Sequence, residues 1–561
     1  MDIVRRAVPE AATGLIAAGI APVLARVYAA RGVRATAELD LDLAKLPSWT
    51  TLKGIAAAAA RLADGIDRRE RLLIIADYDA DGATACAIGV RGLRAMGAQV
   101  DFLVPNRFEY GYGLTPEIVA LAAQRTPALI ITVDNGIASV DGAAAARARG
   151  IDVLITDHHL PGAQLPDTPW IVNPNQPGCA FPSKHIAGVG VMFFVLAALR
   201  SFLRDRGHFA GRGEPNLATL LDLVALGTVA DVVQLDHTNR ILVGQGLQRI
   251  RGGRMQPGVR ALFAIAGRDP ARATAYDLGF VAGPRLNAAG RLADMSIGIA
   301  CLLAEDDASA APLAAELERL NRARREVEAT MQEQALDGLD ATVADDQYTL
   351  CLYRPEWHQG VVGIVASRLK DRFHRPTIVF ARGGDGELRG SGRAIAGFHL
   401  RDALDLVAKR APETILRFGG HAYAAGLSLS ESALPRFSAE FERVAQEWLT
   451  PAVLRQTLET DGELDPAELT LGLAQEIAAH VWGQGFPGPL FEGDFTVLEQ
   501  RSVAEKHLRV ALSGAGRRRE AMLFNDQGPL PDRIRAAYRL EVNHYQGLSS
   551  LQLVLERWQP G

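Results

Sequence analysis

The stretch RLLIIADYDADGATACAIG, residues 71–89, places three aspartates at alternate positions directly behind an apolar run: Asp77, Asp79 and Asp81. The apolar run predicts a buried β-strand, and the Ala- and Gly-rich residues that follow predict a helix. Three carboxylates within five residues concentrate negative charge at the end of this strand. Such a loop either caps the following helix or binds a cation.

A calcium loop of the EF-hand type is the first candidate, because it begins with the same DxDxDG spacing. Its twelfth position carries a bidentate Glu, whereas the corresponding residue here is Ile88. A strand-like run also precedes the loop where an EF-hand has a helix. The sequence therefore argues against a calcium loop.

Short apolar runs alternate with longer amphipathic segments from about residue 71 to 235. The runs are RLLIIA, QVDFLVP, ALIITV and DVLIT, and segments such as GATACAIGVRGLRAMG lie between them. This alternation is typical of a parallel sheet with helices on its faces. We expect a doubly wound α/β domain.

Acidic and histidine residues close the apolar runs of this region. ALIITVDNG ends in Asp134, DVLITDHHL in Asp157, His158 and His159, and LVALGTVAD in Asp231. The carboxyl ends of parallel strands share one edge of a sheet, which is where ligands bind. We therefore expect these residues to converge with the DYDADG loop.

Converging carboxylates repel each other unless a cation neutralises them. Several Asp with one or two His and no thiolate suit two divalent ions of the Mn²⁺ or Mg²⁺ kind, and such a pair supports hydrolysis of a phosphoester. Structural roles remain open for single members of the set. An Asp at a strand end is often a helix N-cap, Asp157 could hold the histidines, and His159 could orient its neighbour.

The length of the chain, 561 residues, predicts about three or four domains. Residues 299–339 show a helical period, and the last hundred residues alternate polar and apolar positions as small β-barrels do. We predict five segments: an N-terminal helical segment at 1–60 packing on the catalytic domain, the catalytic domain at 61–298, a connecting helix at 299–339, a second α/β domain at 340–455 and an OB-like barrel at 456–561.

Composition favours a cytosolic protein. The four cysteines are scattered without CxxC pairs, which argues against a disulfide framework. Arg5-Arg6 could begin a twin-arginine signal, but Pro9 and Glu10 interrupt it. The longest apolar stretch, IAGVGVMFFVLAAL from Ile186, is shorter than the ~20 residues of a membrane span and predicts a buried helix. Because the net charge is −5, any phosphate binding must come from local basic patches.

The motifs DYDADG, TVDNG, TDHH and GTVADVV occur in the order and approximate spacing of the DHH phosphoesterases. The downstream motifs GPRLNAAGRL, WHQGVVGIVASRLK, GSGR and GGHAYAAG resemble the RecJ branch of that family, and the likeness runs from LPSWTTLKGI near residue 46 to the terminal β module. The resemblance implies a multidomain α/β fold: a parallel-sheet DHH domain and a DHH-associated α/β domain joined by a long helix, with a C-terminal OB-like barrel.

The resemblance further implies an exonuclease specific for single-stranded DNA that works from the 5′ end and releases mononucleotides. Enzymes of this branch serve recombination and repair, including excision after mismatch recognition, beside a helicase and a single-strand-binding protein. The resemblance also suggests a monomer. A cleft too narrow for a duplex, with a basic pocket past the metals, would set strand selectivity and polarity, and the barrel would add a platform for the strand.

Site residues follow from the matching motif positions. Asp77 and Asp79 would bind one metal, Asp134 would bridge, and Asp81, His158 and Asp231 would bind the other. His159 would support the site or contact the scissile phosphate, and we expect a structural role for Asp222.

Candidate substrate contacts lie in loops and glycine-rich segments, where backbone N–H groups can approach a phosphate. Some of the arginines could instead tie the two domains together by ion pairs. The candidates are Arg107, Arg285, Asn287, Arg291, Ser391, Arg393 and His421, of which Arg107, Arg285, Ser391 and Arg393 are expected to include the residues that hold the 5′-terminal phosphate.

Two alternatives remain. A relative in the same superfamily could hydrolyse short oligoribonucleotides, cyclic dinucleotides or pyrophosphate, although such chains usually lack the extra barrel. A binding scaffold that has lost catalysis would lack a metal ligand, whereas every expected ligand position is filled.

Overall fold

The computed structural model describes residues 2–211, 213–337, 339, 346–383, 386–504, 506–514, 517–526 and 528–561, without the side chains of residues 107 and 108. The chain forms two compact units. The large unit contains Arg5–Glu318 and Glu459–Gly561, and the small unit contains Met1–Val4 and Arg319–Leu458. This division into two units does not test the five segments predicted from the sequence, which stay a prediction.

The large unit is built around a five-stranded parallel sheet of order β3-β2-β4-β5-β6. The first four strands coincide with the four predicted runs, whereas the short fifth strand was not predicted. The elements up to this sheet's last strand are β1 (Asp2–Arg5), α1 (Ala11–Ala17), α2 (Pro22–Ala29), α3 (Ile55–Asp67), β2 (Arg71–Ala76), α4 (Ala80–Ala95), β3 (Gln99–Leu103), α5 (Arg107–Tyr110), α6 (Pro116–Ala123), β4 (Leu129–Val133), α7 (Val140–Arg147), β5 (Asp152–Thr156) and β6 (Trp170–Val172).

A helical layer follows the sheet in the chain. Its first helix, the predicted buried helix, packs against α3, α4 and the next helix of the layer. None of the helices described is long and apolar enough to cross a membrane. The helical elements are α8 (Gly188–Asp205), α9 (Leu221–Ala230), α10 (His237–Arg251), α11 (Pro257–Ile265), a π-helical turn (Asp277–Ala282), α12 (Gly283–Leu292), α13 (Ser296–Leu303) and α14 (Asp307–Asp337).

Two predictions fail in this layer. The run LVALGTVA is helix α9 and not a strand, because α4, α8 and α10 cover it and an apolar segment buried on all sides shows no helical period. The segment 299–339 is not one helix, because α13 ends at Leu303 and α14 begins at Asp307. Asp306 caps the second helix by accepting a hydrogen bond from Ser309 N at 2.8 Å.

The small unit holds a five-stranded sheet of order β10-β11-β9-β8-β7, in which only β7 and β8 are parallel. Helices α16 and α17 pack on each other, and α17 contributes Phe437 and Phe441 to the core beneath the sheet. The elements are β7 (Leu350–Tyr353), α15 (Val362–Phe373), β8 (Thr377–Arg382), β9 (Glu387–Arg393), α16 (Leu400–Arg410), β10 (Arg417–Gly420), β11 (Ala424–Ser430) and α17 (Leu434–Trp448).

The glycine-rich GSGR motif is part of strand β9, where the sequence predicted a loop. Its glycines alternate with Ser391 and Arg393 and point into the sheet's core. A Cβ at Gly390 would lie 2.5 Å from Phe380 Cε1, so the missing side chain makes room for an aromatic ring. The sequence analysis predicted that these glycines let backbone N–H groups approach a phosphate, whereas in the structure they allow close packing of the strand.

The C-terminal part of the large unit is a closed five-stranded barrel, which confirms the predicted OB-like module. The strands run in the order β13-β14-β15-β17-β16, and the pairing of β15 with β17 is parallel. The elements are β12 (Thr457–Thr460), α18 (Leu471–Ala479), β13 (Phe491–Val503), β14 (His507–Gly514), β15 (Arg517–Phe524), β16 (Arg533–Tyr545) and β17 (Leu548–Pro560).

Candidate active site

Three neighbouring strands of the parallel sheet each carry an aspartate one residue past their ends. The ladder hydrogen bonds continue by one step, from Asp77 N to Val133 O at 3.3 Å, from Asp134 N to Thr156 O at 3.0 Å and from Asp157 N to Val172 O at 3.1 Å. The three carboxylates therefore occupy equivalent positions at one edge of the sheet. The sequence predicted this convergence.

The DYDADG loop combines helix capping with an available carboxylate oxygen. Asp79 Oδ1 accepts hydrogen bonds from Asp81 N at 2.9 Å and Gly82 N at 3.0 Å at the start of α4. Asn287 on α12 adds a third bond, because its Oδ1 accepts from Ala80 N at 2.8 Å. Within the part of the chain described, the cap engages only Oδ1 of Asp79, so capping and cation binding are compatible in one residue.

Asp81 fastens the first helix of the helical layer to the sheet edge. Its side chain is fully buried. Oδ2 accepts a hydrogen bond from Gly188 N at 2.6 Å, and Oδ1 accepts one from Val189 N at 2.9 Å. These amides belong to the first turn of α8, where the helix dipole favours an anion. Burial first, and then the nearby Asp79, raise the pKa of Asp81, while the two amide bonds oppose the shift.

His158 lies at the centre of the acidic residues. Its Nε2 is 3.0 Å from Asp134 Oδ1, 3.5 Å from Asp231 Oδ2 and 3.9 Å from Asp81 Oδ2. Three sets of side chains each bring their ligand atoms within 4.8 Å of one another: Asp77 with Asp79 and Asp134, Asp81 with His158 and Asp231, and Asp134 with His158 and His159. The first and third sets share Asp134.

The donor set fits divalent cations. Burial, followed by repulsion from neighbouring carboxylates, raises the pKa of Asp134 and of Asp231 well above the ordinary value. Asp134 Oδ1 is buried and accepts no hydrogen bond from the described residues. Negative charge thus accumulates where solvent cannot stabilise it, and hard oxygen donors with one imidazole are what Mn²⁺ or Mg²⁺ binds.

Asp157 holds the two histidines. Its Oδ1 lies 2.8 Å from His159 Nδ1 and accepts hydrogen bonds from the backbone amides of His158 and His159, while its Oδ2 accepts from Ile137 N at 2.9 Å. Burial alone would lower the pKa of His159, but the bond to Asp157 and the nearby Asp77 and Asp79 raise it to about 9. The structural role left open for Asp157 matches this geometry.

Tyr112 joins this group, although the sequence analysis did not single it out. Its hydroxyl lies 3.2 Å from His159 Nδ1 and 3.3 Å from the backbone oxygen of Asp134, to which it donates. It lies five residues after the candidate Arg107, and no sequence pattern separates its hydroxyl from that of an ordinary surface tyrosine.

Asp231 reaches the site from the end of helix α9 and not from a strand. The next residue, Val232, has a left-handed backbone with a φ of 64°, which is unusual for a β-branched residue. Asp222 lies one helix length away, and its Oδ2 accepts a hydrogen bond from Gln256 N at 2.5 Å. Burial raises the pKa of Asp222 to about 6, in keeping with the structural role expected for it.

The substrate candidates of the large unit have diverse surroundings. Arg285 is buried. Its Nη2 lies 2.8 Å from Glu318 Oε2, and its Nη1 donates a hydrogen bond to the backbone oxygen of Val281 at 2.6 Å. Asn287 caps α4 and thereby holds the DYDADG loop. Arg291 is half-buried in the last turn of α12, and the side chain of Arg107 lies outside the described residues. Arg285 and Asn287 thus make structural contacts at positions predicted to bind substrate.

Two of the three candidates in the small unit, Ser391 and Arg393, lie against the start of α15. Arg393 Nη1 donates to Ser391 Oγ at 3.1 Å. A Cβ at Gly363 would lie 2.9 Å from Ser391 Oγ and 3.0 Å from Arg393 Nη2, so the helix start closely approaches both side chains. Burial lowers the pKa of Arg393. His421 lies in the turn between β10 and β11, as predicted.

Three family models match the chain. The "DHH family, N-terminal domain" matches residues 71–228, the "DHHA1 domain" matches 346–447 and the "RecJ OB domain" matches 460–557. A protein of Salmonella typhimurium named "Single-stranded-DNA-specific exonuclease RecJ" is 50% identical over 558 residues, with 97% of both chains covered. The chain belongs to the RecJ family. Its family fold and exonuclease class agree with the resemblance stated from the motifs.

Further RecJ proteins support this membership. The Escherichia coli relative of the same name is 49% identical, with 99% of this chain and 98% of that protein covered. The crystal structure of RecJ in complex with Mn²⁺ from Thermus thermophilus aligns with a TM-score of 0.84 at 31% identity, over all of this chain and 80% of that one. A second structure of that protein contains Mg²⁺. The curated relatives are thus named exonucleases, and the solved RecJ structures contain Mn²⁺ or Mg²⁺.

Proposed function

We propose that this chain is a metal-dependent exonuclease that hydrolyses single-stranded DNA from the 5′ end and releases 5′-mononucleotides. The convergence of Asp77, Asp134, His158 and Asp231 at one edge of the parallel sheet carries the proposal, because it gathers several carboxylates around one imidazole, as a site for divalent cations does. The relatives named single-stranded-DNA-specific exonucleases supply the class of substrate.

Two divalent ions, Mn²⁺ or Mg²⁺, would occupy this edge. Asp77 and Asp79 would hold one ion, Asp81, His158 and Asp231 the other, and Asp134 both, because Asp134 forms a ligand set with Asp77 and Asp79 and its Oδ1 lies 3.0 Å from His158 Nε2. Bound there, such ions activate a water and stabilise the charge of the phosphodiester in the transition state. The α8 amides and the α4 cap keep the carboxylates fixed before substrate arrives.

The pair formed by His159 and Asp157 would orient His158 and face the scissile phosphate. Asp157 holds the ring of His159 through Nδ1, and this bond favours the protonated imidazole by raising its pKa. The hydroxyl of Tyr112 limits the movement of the same ring. A cationic imidazole in this place would bind the negative charge of a phosphate oxygen.

Ser391 and Arg393 would recognise the 5′-terminal phosphate. They lie beside each other on one face of β9, and the first turn of α15, which starts after Val361, approaches both. A guanidinium, a hydroxyl and helix N-terminal amides are a suitable combination for a phosphate dianion. Preference for a terminal phosphate would give the enzyme its 5′ to 3′ direction.

The remaining roles follow from the family. The barrel would bind the continuing strand by stacking and charge, and Arg107, Arg291 and His421 would add contacts to the substrate. We further propose a cytosolic monomer that acts in DNA recombination and repair, including mismatch repair, and receives single strands from a helicase and a single-strand-binding protein.

End-labelled DNA tests the central proposal. The protein is incubated with single- and double-stranded DNA labelled at either end, in Mn²⁺ or Mg²⁺ and in chelator. We expect 5′-mononucleotides from single strands alone, and only with metal. Preference for dinucleotides, cyclic dinucleotides or short RNA would support the alternative hydrolases, and tight binding without hydrolysis would support a scaffold.

Substitution of the ligands tests the site. Asp79→Ala, His158→Ala and Asp231→Ala should each abolish hydrolysis while the far-UV circular dichroism stays that of a folded protein. Asp64→Ala is the control, because Asp64 is an exposed acid that pairs only with Arg206 on the surface described. Substantial activity in one of the three variants would remove that residue from the site.

The phosphate contact is tested separately. Arg393→Ala should reduce the ratio of kcat/KM for a 5′-phosphate strand to that for a 5′-hydroxyl strand by about tenfold to hundredfold, the strength of a charged hydrogen bond. Arg417→Ala is the matched control, since Arg417 is an exposed arginine of the same sheet paired with Glu387. An unchanged ratio in Arg393→Ala would contradict the assignment.

A further inference from the structure

Two exposed aromatic rings stack on each other in the segment that leads into α12. Tyr276 is 55% exposed and Phe280 is 68% exposed. Their ring centroids are 4.8 Å apart and their planes differ by 21°. Phe280 belongs to the π-helical turn, and Tyr276 directly precedes it. A large aromatic surface is therefore exposed to water in this segment.

The helical segment that carries these rings also contacts the metal-binding edge. A Cβ at Gly279 would lie 3.1 Å from Val229 Cγ1, and one at Gly283 would lie 3.0 Å from the Cβ of Ala230. The ring-bearing turn therefore packs on the last residues of α9, directly before Asp231. One and two turns further along, α12 caps and covers the DYDADG loop.

The contacts of α12 fix the distance between the rings and that loop. Asn287 Oδ1 accepts from Ala80 N, and a Cβ at Gly290 would lie only 1.8 Å from Tyr78 O. At about 1.5 Å per residue, Asn287 lies roughly 10 Å along the helix from Phe280. This is the length of a few nucleotides of single-stranded DNA, so a strand entering the site could reach the rings.

Two half-exposed arginines lie on the segment that carries the rings. Arg268 Nε is 3.8 Å from Asp277 Oδ1, and Arg272 Nε is 3.6 Å from Asp269 Oδ2. Asp277 is buried, and its Oδ2 accepts hydrogen bonds from the amide and hydroxyl of Thr274. Asp269 is the one exposed carboxylate between residues 266 and 282, all of which the structure describes. A strand that approaches the rings would therefore meet two exposed guanidinium groups and one exposed carboxylate.

We propose that Tyr276 and Phe280 form a stacking platform, called the stacking step below, on which one base of the single-stranded substrate lies near the metal centre. A base placed on the free face of either ring would extend the existing stack, and Arg268 and Arg272 would attract the neighbouring phosphates. Stacking accepts every base, which suits a nuclease that must degrade any sequence. The inference rests on the proposed exonuclease function and adds a positioning surface to it.

Binding and hydrolysis with ring variants test the inference. Phe280→Ala and Tyr276→Ala should each weaken the binding of a fluorescent single-stranded oligonucleotide in chelator by about fivefold to a hundredfold. Phe280→Leu keeps an apolar side chain without a π face and should also bind weakly. Ile16→Ala, which removes an exposed apolar side chain on α1, is the control and should bind as the wild type does.

Abasic substitutions locate the stacked base. A series of oligonucleotides, each with one abasic nucleotide at a different position from the 5′ end, should show one position where the wild type loses kcat/KM. The same lesion should cause no further loss in Phe280→Ala. A flat series, or Phe280→Leu behaving as the wild type, would overturn the stacking step in favour of an apolar contact such as a protein-binding surface.

The outcome also separates the two proposals. If the wild type neither binds nor degrades single-stranded DNA, the exonuclease function fails and the stacking step with it. If the wild type degrades the strand and both ring variants match it at every abasic position, the stacking step alone is overturned. Thermal unfolding of each variant should match the wild type within a few degrees, because both rings are largely exposed.

Discussion

Two buried aspartates of the large unit, Asp134 and Asp461, have opposite surroundings. Asp134 is 1% exposed and faces Asp77, Asp79 and a histidine. Asp461 is 6% exposed and faces Arg31, whose Nη1 donates to Oδ1 at 2.7 Å and whose Nη2 donates to Oδ2 at 2.8 Å. Both carboxylates are buried, but among the described residues only Asp461 is paired with an arginine.

The difference separates structure from chemistry. The pair of Arg31 and Asp461 is complete without any ligand, and the amide of Leu490 adds a third bond to the carboxylate. Asp134 sits in a set of like charges that raises its pKa. Burial of charge alone therefore does not mark a functional site. Burial of charge that the protein leaves unneutralised does, because something from outside must neutralise it.

The largest expected effect comes from Asp134→Asn. Losing the carboxylate shared by two ligand sets should lower kcat by about a hundredfold to a thousandfold, the order seen when a charge-stabilising group is removed. In chelator the same variant should unfold at a higher temperature than the wild type, because an amide at this position neither takes up a proton on folding nor repels the neighbouring carboxylates. Calorimetry with and without Mn²⁺ measures both the gain in chelator and the loss of stabilisation by metal. A variant less stable in chelator would contradict the repulsion argued for this cluster.

Asp461→Asn should have the converse effect. Breaking a buried ion pair leaves Arg31 without its countercharge and should cost about 3–5 kcal/mol in the free energy of unfolding, while kcat of the folded enzyme is unchanged. Asp307→Asn provides the control, because its pair with Arg260 is exposed and contributes about 0–1 kcal/mol. Urea unfolding of the three proteins gives the comparison, and equal losses in both variants would show that burial does not matter here.

The pH dependence of metal-free stability should reveal the acidic cluster. In the folded protein the pKa values of Asp134 and Asp231 are raised, and that of Asp81 is about 7. Above a pH of ~4, the folded state therefore retains protons that the unfolded aspartates have released. In chelator, the contribution of this cluster to the free energy of unfolding should fall as the pH rises from about 4 to 7. Subtracting the profile of Asp134→Asn from that of the wild type isolates the slope. A stability difference that is flat or rises with pH would contradict the assignment. With Mn²⁺ bound, the slope should change sign, since the ion competes with protons for the carboxylates.

The smallest effect is expected for Asn287→Ala. The substitution removes the bond to the amide of Ala80 and should cost about 1 kcal/mol of stability, the usual value of a helix cap. Because the DYDADG loop is then held less firmly, kcat should fall with little change in KM. Asn287→Gln keeps an uncharged acceptor oxygen and should restore part of the stability. A rise in KM at unchanged kcat and stability would instead restore the predicted role in substrate binding.

The fold was predictable where local patterns are strong. The first four strands of the parallel sheet show short apolar runs closed by polar residues, so they could be read directly. Helix α9 was misread, because an element covered on all sides loses the alternation that identifies it. The strand position of Ser391 and Arg393 was also missed, since glycine in a sequence signals a turn and only the packed Phe380 reveals its purpose in a strand.

The site was predictable as a set of residue types and less so as contacts. The aspartates and histidines at the sheet edge follow from their place after the apolar runs. The partner of a side chain in another element does not, which is why the α8 amides on Asp81, the Asn287 cap and the Tyr112 hydroxyl came only from the structure. The buried ion pair of Arg285 with Glu318 joins residues 33 positions apart, and no local pattern couples them.

The π-helical turn at Asp277–Ala282 has a consequence for how this chain tolerates insertions and deletions. A π-helix holds one residue more per turn than an α-helix, so the turn acts as a built-in spacer. Deleting one residue from it would turn its i→i+5 hydrogen bonds into i→i+4 bonds and leave the orientation of α12 against α9 nearly unchanged. Deleting one residue between Gly283 and Asn287, in the regular α-helix, would instead rotate the rest of α12 by about 100°. Asn287 would then turn away from Ala80, and Gly290 would no longer present its bare face to Tyr78. The position of a one-codon deletion in this segment thus decides whether the acidic loop stays engaged.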